Sequence, residues 1–93
     1  MKYYHLVYGR EKMQKILTNS KLGLNIQNIR DSKKMSQADV VRELQLRGRS
    51  MSVSHYGHIE QCRKNIYAKD LVLLKIIFDV DYDEFFIGLL DEI

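Results

Sequence analysis

The chain has 93 residues, enough for one domain with a single modest core. It is 45% hydrophobic and 29% charged, which is a globular rather than a disordered composition. No apolar run approaches the ~20 residues that span a bilayer, and the first residues lack the h-region of a secretory signal. A single cysteine excludes an internal disulfide framework, so a cytoplasmic protein is expected.

The net charge of +3 is unevenly distributed along the chain. Residues 30–69 hold nine Lys/Arg and four Asp/Glu, whereas residues 70–93 hold one lysine and seven acids. Residues 1–29 are basic as well, with five Lys/Arg and one acid. A basic body with an acidic tail suggests a polyanion as partner, although a solvated surface with uneven charge explains the same numbers.

Residues 1–20 form an N-terminal extension whose structure the pattern leaves open. The aromatic-rich stretch YYHLVY (residues 3–8) carries the only clear strand signal, but it could also extend the first helix or form an arm. It would pack on its own domain or exchange with a partner subunit. A third hypothesis places the native start at Met13.

Several short helices follow the extension. Leu22, Ile26 and Ile29 recur at one face of a helix that ends near Lys33-Lys34. Ser36, with Asp39 three residues later, predicts a capping box at the start of a second helix. The buried side of this helix is expected to consist of Val40, Val41 and Leu44.

A turn around Gly48 separates the second helix from a third, for which Ser52 is a suitable N-cap. Tyr56 and Ile59 would face inward from the third helix. A fourth helix is predicted from about Tyr67 to Phe78, with Leu71, Leu74, Ile77 and Phe78 on its core side. Asp81 and Glu84 suggest a further capping box before a last apolar helix containing Phe85, Phe86, Leu89 and Leu90. The predicted fold class is all-α, with about five short helices.

Residues 22–86 resemble the phage-repressor type of helix-turn-helix domain, the XRE or Cro/lambda-repressor family. The motifs that carry the resemblance occur in the order expected for that family. They are I-x-x-I-R (Ile26 to Arg30), MSQADVV from Met35, I-E (Ile59-Glu60), DLVLLKIIFDV from Asp70 and the following DYDEFF. The resemblance implies a lambda-repressor-like bundle over residues 21–93 and double-stranded DNA as the partner.

The resemblance also implies a structural ion pair between Arg30 and Glu60, joining the first and third helices. The chain departs from the family pattern in three places. The turn before the third helix carries an apparent insertion, RGRSM (residues 47–51), Cys62 stands where a glycine is usual, and Val41 replaces a small alanine. The insertion leaves the angle of the third helix open.

Position by position, the resemblance assigns the reading side of the third helix to five base-contacting residues, Val53, Ser54, His55, Gly57 and His58. Seven further residues are expected at DNA phosphates: Gln37, Lys33, Lys34, Arg47, Arg49, Arg63 and Lys64. Because the reading side has no Arg, Asn or Gln, specificity is expected to depend partly on DNA shape.

Other site chemistries fit the residues poorly. His55, His58 and Cys62 could share a helix face, but a structural zinc site needs four ligands and usually at least two cysteines. No catalytic constellation is found, so neither an enzyme nor a cofactor, metal or small-molecule ligand is predicted.

The sequence therefore predicts a bacterial or phage transcriptional regulator, most simply a repressor, that binds DNA as a homodimer. The sequence does not determine which surface forms the dimer. The acidic, apolar tail from Asp81 offers Phe86, Leu89, Leu90 and Ile93, although closing the monomer core explains the phenylalanines equally well. The alternative function is a protein-interaction module on the same fold, such as an antitoxin-like protein or a phage-encoded inhibitor.

Overall fold

The computed structural model describes residues 15–16 and 20–89. In this part of the chain the fold is all-α, as predicted. It contains four α-helices, α1 (Ser20–Ser32), α2 (Gln37–Leu46), α3 (Val53–Glu60) and α4 (Ala68–Phe78), and one 3-10 helix, Tyr82–Phe86. Two short strands, β1 (Lys15–Ile16) and β2 (Ile66–Tyr67), pair antiparallel.

Helix α1 packs its predicted apolar face into the core, where Leu22, Ile26 and Ile29 are buried. It ends in a left-handed turn at Lys34, whose φ is 59°. The Met35 amide donates to the Arg30 carbonyl across this turn (3.3 Å), which satisfies one of the last helical carbonyls.

Helices α2 and α3 both begin at the predicted caps. The Ser36 hydroxyl accepts from the Asp39 amide (3.0 Å), and the Asp39 carboxylate accepts from the Ser36 amide (2.8 Å), which completes the capping box. The Ser52 hydroxyl accepts from the His55 amide (2.9 Å) at the start of α3. The inward residues of these two helices are also those predicted, namely Val40, Val41 and Leu44 in α2 and Tyr56 and Ile59 in α3.

The long turn between α2 and α3, residues 47–52, is held to the body of the domain. Gly48 adopts a φ of +89°, and the Arg49 amide donates to the Leu44 carbonyl (2.9 Å) to close the end of α2. Met51 is buried, with 6% of its surface exposed. The segment predicted as an insertion therefore contributes a side chain to the core.

Helix α4 begins one residue after the predicted start and buries Leu71, Leu74 and Phe78. The predicted helix after it is replaced by the short 3-10 helix, and the capping box at Asp81 and Glu84 is not formed. The Glu84 backbone amide instead donates a hydrogen bond to the Asp81 carbonyl (3.1 Å).

The 3-10 helix is fastened to α1 by Asn25, a residue that the sequence patterns did not single out. Its Nδ2 donates to the Phe85 carbonyl (2.9 Å) and to the Ile87 carbonyl (2.8 Å). Phe85 is fully buried and closes the core, whereas Phe86 is 40% exposed. The other predicted tail contacts at Leu90 and Ile93 lie outside the described residues.

The β1–β2 pair was not predicted. Lys15 pairs with Tyr67 and Ile16 pairs with Ile66, and Ile66 is fully buried. Since β1 and Ser20 both fall within the predicted extension, its boundary at residue 20 does not coincide with the edge of the folded body. The aromatic stretch at residues 3–8 and the hypothetical start at Met13 lie outside the described part of the chain.

Candidate nucleic-acid interface

An ion pair joins α1 to α3, at the positions that the resemblance indicated. The Arg30 guanidinium donates from Nε to Glu60 Oε2 (2.7 Å) and from Nη2 to Oε1 (3.1 Å). Gln37 Nε2 donates to the same Oε1 (3.0 Å), which ties α2 to the pair. The side chains of Arg30 and Glu60 are 11% and 1% exposed, so water screens this pair weakly. One carboxylate thus fixes the relative positions of three helices.

The protonation equilibria of this cluster favour the charged pair. Burial acts to raise the pKa of Glu60, but the hydrogen bonds from Arg30 and Gln37 outweigh burial and hold it below its usual value. The hydrogen bond to Glu60 raises the pKa of Arg30. Burial, followed by the neighbouring Glu60 carboxylate, raises the pKa of Tyr56, so its phenol stays neutral.

Gly57 is not available to DNA bases, contrary to the prediction. It is buried, and a Cβ added there would lie 3.2 Å from Gln37 Oε1. The Gln37 amide lies against Gly57 on its way to Glu60, and a methyl group there would displace it by only a few tenths of an ångström.

A second close approach lies at Gly23 in α1, which the sequence patterns missed. A Cβ at this position would lie 2.5 Å from the Glu60 carbonyl oxygen and 2.6 Å from Cys62 Sγ. Such contacts are shorter than packed atoms tolerate, so α1 can pass the end of α3 only because residue 23 has no side chain. A glycine inside a helix costs about 0.5–1 kcal/mol relative to alanine. Its occurrence within the predicted first helix was therefore the sequence feature that could have indicated a close contact.

The outward surface of α3 is small. Val53 is 41% exposed and Ser54 is exposed at the start of the helix, while His58 is half-buried one turn further on. A valine can contact a thymine methyl group, a serine can donate or accept at several base edges, and an imidazole can donate to guanine. Of the five predicted base-contacting residues, these three remain suitable.

His55 is half-buried and lies beside the segment that follows α3. It lines an open cleft of about 290 Å³ together with Arg63, Lys64, Asn65 and Tyr67. Burial, followed by the charges of Lys64 and Arg49, lowers the pKa of His55, so the imidazole is neutral at neutral pH. A neutral ring beside the Arg63 and Lys64 side chains is better placed near a phosphate than at a base edge.

Two arginines predicted at phosphates are engaged within the protein. Arg49 donates from Nε and Nη2 to the buried Asp70 carboxylate (2.6 and 3.3 Å), and its guanidinium lies 5.8 Å from the centre of the Tyr67 ring. It is a structural residue that anchors the long turn to α4. Arg47 donates to the Glu43 carboxylate (2.6 Å) and to the Glu43 carbonyl (3.1 Å), which compensates its charge on α2.

The remaining predicted cations differ in their surroundings. Lys33 lines a cleft of about 420 Å³ that also has the acidic residues Asp79, Asp81 and Glu84 in its lining, which makes its surroundings less favourable for a phosphate. Lys34, Arg63 and Lys64 are exposed and form no ion pair within the described residues. These three cations are the best placed to contact phosphates.

The turn after α3 carries a cysteine in the left-handed conformation. Cys62 has a φ of 64°, the Arg63 amide donates to the His58 carbonyl (2.8 Å), and the Cys62 amide donates to the Ile59 carbonyl (3.1 Å). This is the turn that usually ends in glycine, so its shape is retained in spite of the substitution. It directs Arg63 and Lys64 away from the end of α3.

We expect Cys62→Gly to raise the free energy of unfolding by about 0.5–1 kcal/mol, because glycine adopts a positive φ without steric cost. Urea denaturation measures the difference. Cys62→Ala is the control, since it removes the thiol but keeps the Cβ in the left-handed conformation. A gain of equal size in Cys62→Ala would attribute the effect to the thiol and contradict the backbone argument.

The described part of the chain shows neither a metal-binding cluster nor a membrane-spanning helix. No group of three or more His, Cys, Asp or Glu residues is placed there to hold a metal ion. None of the described helices is long and apolar enough to cross a membrane.

No protein-family model, no curated protein and no solved structure matches the chain.

Proposed function

We propose that this protein binds double-stranded DNA sequence-specifically and regulates transcription, with α3 entering the major groove. The observation that carries the proposal is the combination of a locked three-helix unit with an exposed start of α3. Arg30, Gln37 and Glu60 hold α3 rigidly against α1 and α2. Val53 and Ser54 face outward from its first turn, where helix-turn-helix proteins contact base edges.

The positive charge supports the same proposal. Arg63 and Lys64 follow α3 directly, and Lys34 precedes α2, so exposed cations occur before and after the two helices. Phosphate contacts of this kind set register and orientation, while the few base contacts provide selectivity. Since Val53, Ser54 and His58 can each make only limited contacts with bases, we expect DNA shape to contribute to the choice of site.

In this proposal the protein acts by occupancy. Bound near a promoter, it blocks or redirects polymerase, and repression is the simplest outcome. A protein with this function would act in the cytoplasm. A homodimer on a two-fold site would set two α3 helices about 34–36 Å apart, one turn of DNA.

The salt dependence of binding tests the phosphate contacts. We expect Arg63→Ala/Lys64→Ala to reduce the slope of log K against log salt by about two for each bound copy, and so by about four for a dimer, because each lost contact removes ~0.9 from the slope. The affinity of a duplex selected from a random library, measured by fluorescence anisotropy at several salt concentrations, gives the slope for each variant.

The matched control is Arg42→Ala/Arg47→Ala, which removes the same charge from two arginines that are paired with Asp39 and Glu43. This control should leave the slope close to that of the wild type. If the two double variants lower the slope equally, net charge alone explains binding and the assigned contacts are wrong.

The second candidate function is a protein-interaction module on the same fold. It is favoured by the composition of α3, which has no Arg, Lys, Asn or Gln side chain for bidentate base recognition. This candidate predicts DNA binding that is weak and indifferent to sequence. His58→Ala discriminates between the two, since it should alter the selected site only in a DNA reader.

A further inference from the structure

Helix α4 carries apolar side chains around almost its whole circumference. Leu71, Leu74 and Phe78 are buried in the core, and Leu73 and Ile77 pack against it. The outer side is apolar as well, since Val72 is 43% exposed and Ile76 is 53% exposed. Helices that are apolar on all sides are normally covered on all sides. The outer side of α4 therefore suggests an interaction surface.

Four exposed residues form a row on this outer side, Lys69, Val72, Ile76 and Asp79, which we name the α4 stripe. Lys69, Val72 and Ile76 are three and four positions apart within α4, so they lie on one face, and Asp79 follows the helix as its left-handed C-cap, with a φ of 56°. The ends of the stripe carry opposite charges, and neither end residue forms an ion pair within the described residues. The middle of the stripe is apolar.

The stripe is complementary to itself. In two copies related by a two-fold axis and aligned antiparallel, the Lys69 end of one stripe lies against the Asp79 end of the other. Val72 of one copy then faces Ile76 of the other, and Lys69 of one copy faces Asp79 of the other. Two-fold interfaces require this property, because each partner presents the same surface.

We propose that the α4 stripe is the self-association surface of this protein and that its occupant is a second copy of the chain. The proposal deepens the proposed function, which calls for a homodimer, and rests on it for the biological purpose of the dimer. It also replaces the acidic tail as the candidate dimer surface. The two apolar pairs supply contact and the two ion pairs fix the antiparallel alignment.

The size of the stripe predicts a weak dimer. An 11-residue helix is about 16 Å long, and one such helix buries less than the ~800 Å² per partner of a standard interface. The dimer is therefore expected to depend on protein concentration and to become stable when two copies occupy adjacent half-sites on one duplex.

Sedimentation of the full chain without DNA, over a series of concentrations, tests the proposal. The wild type should shift from monomer to dimer as its concentration rises, and Ile76→Glu should stay monomeric throughout. Leu46→Glu is the matched control, because Leu46 is 74% exposed on α2 and lies outside the stripe. It should associate like the wild type. Circular dichroism verifies that each variant is folded.

A charge exchange makes the test specific for the antiparallel alignment. Lys69→Glu and Asp79→Lys should each weaken association about tenfold, because each places like charges opposite one another. The combination of both should restore it. A wild type that is monomeric at every concentration, equal weakening by Ile76→Glu and Leu46→Glu, or no recovery in the combined variant would overturn the proposal. A protein that binds DNA selectively yet never associates would overturn this inference alone.

Discussion

Glu60→Gln is expected to lower the free energy of unfolding by about 3–5 kcal/mol, because it leaves the buried Arg30 guanidinium with only the exposed Asp31 carboxylate (3.2 Å) as a counter-charge. The Glu60 side chain is 1% exposed, so water cannot replace the lost carboxylate. Small domains are stabilised by only about 5–15 kcal/mol in total, and the variant should therefore be close to unfolding at moderate temperature. Urea denaturation followed by circular dichroism measures the loss.

Glu43→Gln is the matched control for this prediction. It makes the same chemical change in a pair with Arg47 whose side chains are about one-third exposed, where exposed pairs typically contribute ~0–1 kcal/mol. Acidification provides a second check. Since folding lowers the pKa of Glu60 below that of an ordinary glutamate, its contribution to stability is present above the ordinary pKa and is lost as the pH falls through the lowered one. Equal losses in Glu60→Gln and Glu43→Gln would contradict the account.

Gly23→Ala is expected to destabilise the protein by about 1–3 kcal/mol, although alanine is the better helix former. The new Cβ would lie 2.5 Å from the Glu60 carbonyl oxygen. That atom belongs to the backbone of α3, so the two helices must move apart and part of the buried ion pair is strained. Thermal or urea unfolding measures the effect.

Gly57→Ala is the control, because it adds the same methyl group to a helical glycine with a different neighbour. There the Cβ would lie 3.2 Å from Gln37 Oε1, the end of a flexible side chain that can shift. We expect stability to stay the same or to rise by up to ~1 kcal/mol, as helix propensity predicts. If Gly23→Ala behaved like Gly57→Ala, the close approach of α1 to α3 would be wrong.

Local chemistry explains which parts of the fold could be predicted. The starts of α2 and α3 follow from Ser36, Asp39 and Ser52, because a cap needs only residues within one helical turn. The core positions follow from the 3.6-residue period in the same way. The ion pair between Arg30 and Glu60 connects residues 30 positions apart, and its prediction depended on the resemblance to a family.

The errors arise where a contact depends on residues distant in sequence. Arg49 was expected at a phosphate because a basic residue in a polar turn is usually solvated, but its partner Asp70 is 21 positions away. The β1–β2 pair has two residues per strand, too few for any periodicity. At Asp81 and Glu84 the capping pattern is present, yet a five-residue 3-10 helix forms instead of an α-helix.

The candidate site was predicted in part. The unit that holds α3 contains the predicted pair of Arg30 and Glu60, and it also contains Gln37, which was predicted at a phosphate. Which side chains surround α3 was harder to predict, because that depends on how helices of unknown crossing angle pack. Gly57 is covered by α2, and His55 faces the cleft beside Arg63. The DNA contacts themselves stay predictions.

Sequence-selective DNA binding is the central claim, and one comparison of two duplexes tests it most directly. The first duplex carries the site selected by the wild-type protein from a random library, and the second has the same composition in shuffled order. Fluorescence anisotropy at near-physiological salt measures both affinities. We predict that the selected site binds at least ~10³-fold more tightly, the lower end of the range for specific DNA-binding proteins. Equal affinities for the two duplexes would contradict the account and favour a protein partner for this fold.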